Sequence, residues 1–324
     1  MSRKLFIGTY LLMVGLLLSA CGLINEDQGD CNPTYNVKFV YEMNMSGGDG
    51  FSSQVTSISL WVFDHTTGKF VKRYDDSGSM LAQPGYVMEL TDLDPGTYDF
   101  IAWGGLGENS SFSVPSNIET VNDLKCTMHT VTVDGVTSSN TLLSPLFYGS
   151  LSSQTLKEEY GNYTYTVELM KDTNNINLSL QHMSEETLDV NDFTIYMYDE
   201  NGLLASDNSL LPSSEIKYTP WSTQSGEIDM PGDDLNFIKA EISTCRLMAD
   251  QNPIITIIDN DTGNVVYSIP IVDWAKKLRS IQNLSMDDQE YLDREHEYTV
   301  MLYLVSENEG WKAVSIVING FEME

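Results

Sequence analysis

The sequence predicts an all-β protein with two β-sandwich domains in tandem and a short helix in the second. Three observations predict it. Apolar residues alternate with polar ones at a period of two, turn signals interrupt these runs at short intervals, and the chain is 324 residues long. Alternation marks strands, frequent turns favour a sandwich over a parallel α/β sheet, and such a length fits two domains of ordinary size.

The chain opens with an export signal. Arg3 and Lys4 make a basic start, and Leu5 to Leu18 is an apolar run broken only by Gly8, Thr9, Tyr10 and Gly15. That run is too short to span a bilayer, and small residues follow it. Leu18-Ser19-Ala20-Cys21 resembles the bacterial lipobox, in which the thiol of the cysteine receives a diacylglycerol and becomes the new amino terminus. Stable anchoring takes more than one acyl chain, a condition that bacterial lipoproteins meet. Residues 21–33 then read as a flexible, acidic tether, similar to the export signals that carry some lipoproteins to the outer face of the outer membrane. Loss of residues 1–20 removes two basic residues and no acidic ones, moving the net charge from −30 to −32. A charge of this sign repels nucleic acid and anionic lipid, so no nucleic-acid partner is expected.

The first domain is expected over 34–170. Tyr35, Val37, Phe39 and Tyr41 share one face of an opening strand, and Ile58, Leu60 and Val62 share one face of the next, with Ser57, Ser59 and Trp61 on the other. Asp94-Pro95-Gly96 is a tight turn, with Pro95 fixing its backbone and Gly96 free to take positive φ. Tyr98, Phe100 and Ala102 follow it as core positions, alternating with Ile101 and Trp103. Leu143 to Gly149 is expected as a late strand.

The second domain is expected over 171–324. It opens with Ile176, Leu178 and Leu180, then Phe193, Ile195 and Met197. Asp273 is placed as the cap of a helix whose face carries Trp274, Leu278 and Ile281, and Ser285-Met286-Asp287-Asp288 starts a second turn. Asp259-Asn260-Asp261-Thr262-Gly263 has the opening of a calcium loop, but the twelfth position, where a bidentate Glu is needed, is Pro270; two flanking β runs make it a hairpin turn. Glu290, Asp293, Glu295, His296 and Glu297 form the densest titratable cluster, and Arg294 among them points to ion pairing on a solvated face. No Ser nucleophile elbow, phosphate loop or HExxH pattern occurs, so neither an enzyme, a cofactor nor a metal site is expected. Three cysteines follow Cys21: Cys31, Cys126 and Cys245. An oxidising envelope allows one pair to bridge and leaves one thiol free; Cys31 with Cys126 is the pairing that would pin the tether to the first domain.

The carboxyl end reads Gln289-Glu290-Tyr291-Leu292-Asp293-Arg294-Glu295, then an apolar strand from Tyr298 to Val305, Trp311, and Ile316-Val317-Ile318-Asn319-Gly320-Phe321. With the lipobox, the Val55 to Phe63 strand and the Pro95-Gly96…Ala102-Trp103-Gly104-Gly105 stretch, it resembles the FimB-like family of minor fimbrial subunits, the lipoprotein anchors of type V pili. Phe321 departs from the family, where a Trp is expected. The resemblance covers the mature chain and implies two transthyretin-like β-sandwiches, an outer-membrane location through lipid at Cys21, and a fimbrial shaft subunit as partner. It also implies assembly by strand donation, in which shaft subunits are opened by proteolysis after an Arg near the first strand. Here no Arg stands between Cys21 and Arg73, so the first strand is expected to stay in place. Val314, Ile316 and Ile318 then make the last strand a candidate donor, set against the alternative that it completes its own sheet. A surface glycan-binding lipoprotein, using Trp103, Trp221 or Trp311, and a tip-type adhesin are the rival readings.

Overall fold

The computed structural model describes residues 32–183, 187–228, 235–307 and 310–323. In chain order the strands up to residue 171 are β1 (Thr34–Met43), β2 (Ser57–Asp64), β3 (Phe70–Ser77), β4 (Met88–Glu89), β5 (Gly96–Gly104) and β6 (Phe112–Ser113). There follow β7 (Cys126–Met128), β8 (Val131–Val133), β9 (Val136–Ser139), β10 (Phe147–Leu156) and β11 (Asn162–Lys171). Beyond them lie β12 (Thr173–Met183), β13 (Phe193–Asp199), β14 (Leu203–Leu204), β15 (Ile216–Tyr218), β16 (Ser222–Ile228) and β17 (Leu235–Cys245). The last strands are β18 (Ile254–Asp259), β19 (Val265–Pro270), β20 (Glu297–Glu307), β21 (Gly310–Ile318) and β22 (Phe321–Glu322). Three short helices complete the fold: α1 (Phe51–Gln54), α2 (Ile271–Ile281) and α3 (Asp288–Arg294).

The first seven-stranded sheet has the order β3-β2-β5-β10-β11-β1-β4. Its two wings meet where β10 and β11 pair only through Phe147↔Lys171 and Tyr148↔Met170. There the sheet folds over on itself. Gly149 permits the corner, because a Cβ at that position would stand 2.5 Å from the Glu168 carbonyl oxygen. Tyr35, Val37, Phe39 and Tyr41 on one wing face Ile58, Leu60, Val62 and Phe100 on the other, all buried. The expected alternation is therefore present. Trp61 and Trp103 also point away from this core as expected, but they are buried as well, 1% and 0% exposed. Their side of the sheet packs into the core of the second half.

That second core lies between two six-stranded sheets, β16-β17-β12-β20-β21-β22 and β19-β18-β13-β15-β9-β8. Ile176, Leu178 and Leu180 of β12 meet Ile195 and Met197 of β13 there. Two of the strands arrive from the first half of the sequence. β9 pairs in parallel with β15, through Ile216↔Thr137, Lys217↔Ser138 and Tyr218↔Ser139. β8 follows it as the edge strand, and β7 pairs antiparallel with β14, Leu204 opposite Cys126, in a separate three-stranded sheet β14-β7-β6. A cut after residue 170 thus falls at the last residue of β11, just before β12, yet residues 126–139 are built into sheets with strands that follow it.

Helix α2 begins three residues earlier than expected, with Pro270 at its N-cap position and Asp273 inside the first turn. A carboxylate there is favourably placed against the helix dipole. The buried face is Ile271, Val272, Ala275 and Leu278, and Ile281 lies outside it, 42% exposed. Helix α3 is capped by Asp287, whose side chain accepts from Glu290 N at 2.8 Å. The late strand of the first half starts at Phe147 rather than Leu143. The preceding turn is instead held from the second half, by Leu143 N donating to Ser243 Oγ at 3.2 Å.

Candidate functional site

A fimbrial role would depend on the two ends of the chain and on the joint between the halves. Cys21, Cys31 and residues 21–31 of the tether lie outside the described residues. Just beyond them, β1 is held along its length. It runs parallel to β11 from Thr34↔Asn162 to Met43↔Met170, and its other side pairs with β4 at Asn36↔Glu89 and Val37↔Met88. Tyr35 Oη donates to the Lys157 carbonyl at 2.6 Å, and Asn36 Nδ2 donates to Asn162 Oδ1 at 2.6 Å. A cleft of about 630 Å³ opens where the tether enters, lined by Asn32 to Tyr35, Glu89 to Pro95 and Glu158. Arg73 stands in the middle of β3, its guanidinium 4.7 Å from the Trp61 ring and 2.6 Å from Asp75. A side chain held in a strand this way is a poor protease substrate.

At the other end, β21 pairs with β20 from Glu307↔Gly310 to Val300↔Ile318. Ile316 and Ile318 are buried, 3% and 0% exposed, whereas Val314 is 59% exposed. The three do not share one face because Val314 is the extra residue of a β-bulge, between Leu304↔Ala313 and Tyr303↔Ser315. In this conformation the strand completes its own sheet. Asn319 and Gly320 turn it into β22 with φ of 46° and 82°. Consecutive left-handed residues are what a type I′ hairpin demands, and Asn-Gly is its preferred pair. Asn319 Oδ1 also accepts from Thr299 N at 2.8 Å. The Ile-Asn-Gly motif is thus a turn.

The Leu-Asp-Arg-Glu motif lies at the joint. The acidic cluster around it is not the solvated face that its spacing predicted. Asp293 is buried and takes a bidentate pair from Arg246, with Nε and Nη2 both at 2.8 Å. Arg246 Nη1 also donates to the Asn208 carbonyl at 2.6 Å. Asp172, in the link between β11 and β12, stands 3.9 Å from Arg246 Nε and accepts from Asn208 Nδ2 at 2.9 Å. Complete burial pushes the Asp172 carboxyl up to about 7, against the opposing pull of Arg246. His296 is buried beside Tyr41 of β1; desolvation, with the charge of Lys171, brings its imidazole down to about 3. Arg294 pairs with Glu290 at 2.9 Å and reaches across to the Glu42 carbonyl at 3.2 Å. The motif therefore clamps the second half to the end of β1. Asp172 and Arg246 carried no signal in the sequence, since they are 74 residues apart and neither sits in a recognisable spacing.

The remaining candidates are placed as follows. Among the described residues Cys126 and Cys245 form no disulfide and both are buried, and burial pushes both thiols up; the pairing of Cys126 with Cys31 falls outside the described residues. Trp103 is fully buried and Trp311 is packed against His182 and Phe193, while Trp221 is 38% exposed. Asp259 accepts from the backbone N–H groups of Asp261, Thr262 and Trp311, so its carboxylate organises the β18–β19 hairpin. Among the described residues no group of three or more His, Cys, Asp or Glu could hold a metal ion, and no helix is long and apolar enough to cross a membrane.

Comparison with known proteins agrees with the fold. No curated protein matches the chain. Among solved structures, a candidate adhesin from Bacteroides thetaiotaomicron is 31% identical, with a TM-score of 0.78 over 90% of this chain and 98% of that one. A protein of the same organism described as a candidate polysaccharide-binding protein is 29% identical, with a TM-score of 0.74 over 90% and 97%. The fimbrial anchor protein Mfa2 from Porphyromonas gingivalis shares the fold at 14% identity, with a TM-score of 0.66 over 91% and 99%. The family model of fimbrillin-A associated anchor proteins Mfa1 and Mfa2 matches residues 28–324. With that match running over most of its length, the chain belongs to this family of fimbrial anchor proteins.

Proposed function

We propose that this protein is an outer-membrane lipoprotein, acylated at Cys21, that fixes a fimbria to the cell and ends its growth at that end. The observation that carries the reading is the closed first sandwich. Pulling β1 out would expose Tyr35, Val37, Phe39 and Tyr41, each now at most 3% exposed. Burial of such side chains contributes about 1.5–3 kcal/mol apiece. A subunit that keeps this strand accepts nothing in its place, so it can only terminate a shaft. Contact with the shaft subunit is by β-strand complementation. Donation of β21 would draw Ile316 and Ile318 out of the core, at a cost of about 3–6 kcal/mol. Acceptance of a shaft segment on an open sheet edge costs no such burial.

Changing Cys21→Ala tests the anchoring directly. Fimbriae should be shed into the medium, and fimbriae that stay attached to cells would end the proposal. Glycan binding is the second reading, favoured by exposed Trp221; Trp221→Ala with undiminished retention on polysaccharide gels would remove its basis.

A further inference from the structure

β1 stands between two attachments. Its first residue, Thr34, follows the tether. Its last residues lie at the joint, where Arg294 Nη1 reaches the Glu42 carbonyl at 3.2 Å and Tyr41 packs beside His296. A strand of 10 residues spans about 30 Å, so the tether enters at the end of the first sandwich opposite the joint. The long partner of β1 is β11, which runs parallel to it and continues through Asp172 into β12 of the second half. Tension between an acylated Cys21 and a shaft held by the second half thus enters β1 at its amino end. It leaves through the carboxyl end of β11, the strand to which β1 is bonded.

The direction of pairing decides what that tension does. Parallel strands pulled from opposite ends slide along each other, and their evenly spaced ladder bonds must stretch together. Had β11 been antiparallel, its carboxyl end would lie beside Thr34, and the same pull would open the bonds one by one. β1 and β11 keep register from Thr34↔Asn162 to Val40↔Glu168 without a break. Other backbone support among the described residues is slight. β4 meets β1 at Asn36 and Val37, and β10 meets β11 at Phe147↔Lys171 and Tyr148↔Met170, next to the joint. The loaded end is reinforced: Thr34 N donates to the Gly161 carbonyl at 2.9 Å, beside the bonds of Tyr35 Oη to the Lys157 carbonyl and Asn36 Nδ2 to Asn162 Oδ1, both 2.6 Å. Past β11, Asp172 is fixed by its N–H, which donates to the Leu146 carbonyl at 2.8 Å, and by Asn208 on its carboxyl group. β12 is then central in its own sheet, paired with β17 from Thr173↔Cys245 to Met183↔Leu235 and in parallel with β20 from Asn175↔Glu297 to Gln181↔Tyr303.

We propose that the parallel β1–β11 pair is the load-bearing clamp of this molecule, carrying tension from the lipid anchor to the second half in shear, with Asp172 passing the load to β12. The inference rests on the anchoring role proposed above, which supplies the load. It gives the retained first strand a mechanical task besides closing the sandwich. Forced opening follows the barrier to unfolding rather than overall stability, so bonds that must break together hold longer than the same bonds broken in turn.

The test holds single mature chains at constant force and reads their lifetime. One grip is the amino-terminal tether. The other is an azide-bearing residue in place of Asn177, which alternates with buried Ile176 and Leu178 on β12. The comparison moves the second grip to Tyr160, 76% exposed and next to Gly161, so that β1 and β11 are pulled apart from one end. At the same force the first geometry should outlast the second about tenfold or more. In the first geometry Tyr35→Phe, which removes one hydrogen bond and keeps the ring, should shorten the lifetime about fivefold. Glu89→Gln on β4 should leave it unchanged. Circular dichroism shows whether each chain is folded, and Ser179 serves as the grip if Asn177 does not. Equal lifetimes in the two geometries, or a Tyr35→Phe chain that lasts as long as wild type in the first, would overturn the clamp. Either result, with fimbriae still shed by Cys21→Ala, sinks the clamp alone; fimbriae that stay attached to Cys21→Ala cells remove the load and both readings with it.

Discussion

Replacing Arg246 with Met withdraws the guanidinium from between two buried carboxylates while keeping most of the side chain's length. The side chains of Arg246, Asp293 and Asp172 are 12%, 9% and 0% exposed, so water cannot take over the lost contacts. Removing one partner of a buried ion pair costs about 3–5 kcal/mol, because the other is left charged and unpaired. Here the cost should grow with pH. Asp172 titrates at about 7 in the folded chain with Arg246 beside it, and loss of that cation pushes its carboxyl higher still, so between pH 6 and pH 8 the variant goes on losing stability where the wild type levels off. Denaturant unfolding of Arg246→Met and wild type at both pH values, followed by circular dichroism, measures this. A loss below about 1 kcal/mol at pH 8, or one no larger than at pH 6, would refute the view of Arg246 as the cation that holds the joint.

Asp172 and His296 should pull the pH dependence of stability in opposite directions. The folded pKa of Asp172 is raised, so its contribution is present at low pH and lost as pH rises from about 4 to about 7. The folded pKa of His296 is lowered to about 3 from 6.5, so the fold loses stability as pH falls through that window. Asp172→Asn should therefore leave a chain that weakens on acidification more steeply than wild type, and His296→Gln one that weakens less; equal slopes in unfolding titrations would contradict both. Ile318→Ala should cost about 2–5 kcal/mol, whereas Val314→Thr at the exposed bulge should stay within about 0.5 kcal/mol. Thermal melts decide this, and similar losses would mean that β21 is not seated as described. Cys126 and Cys245 should react with a thiol reagent only after denaturation, since burial disfavours both thiolates; labelling of either in the native chain at the rate of a free thiol would count against their placement.

Local patterns carried much of the architecture. The inward rows Tyr35-Val37-Phe39-Tyr41 and Ile176-Leu178-Leu180 were legible because a strand's period of two is a local property. The Asp259 turn was legible for the same reason, as was a helical start within Ser285 to Asp288, though not that Asp287 is its cap. Three features were not. Trp61 and Trp103 could be assigned to the opposite face from Leu60 and Phe100 but not to a second core, because alternation reports which residues share a face and not which layer covers it. The Asp293 and His296 cluster looked solvated, because its neutralising partner, Arg246, comes from a distant strand. The bulge at Val314 shifted the phase of the last strand by one residue, which no count along the chain reveals.

The sequence by itself determined the fold class, the order of strand and turn, the export and acylation signal expected at Cys21, and the Arg-free stretch from which β1 is expected to stay in place. These depend on residues adjacent or nearly adjacent in the chain. Tertiary structure alone decided that β8 and β9 cross into the second sandwich and that Asp172, Arg246 and Asp293 lock the joint. Each of those depends on which strands become neighbours. Pairing of that kind is chosen by the whole core at once, through burial and register between segments far apart in sequence.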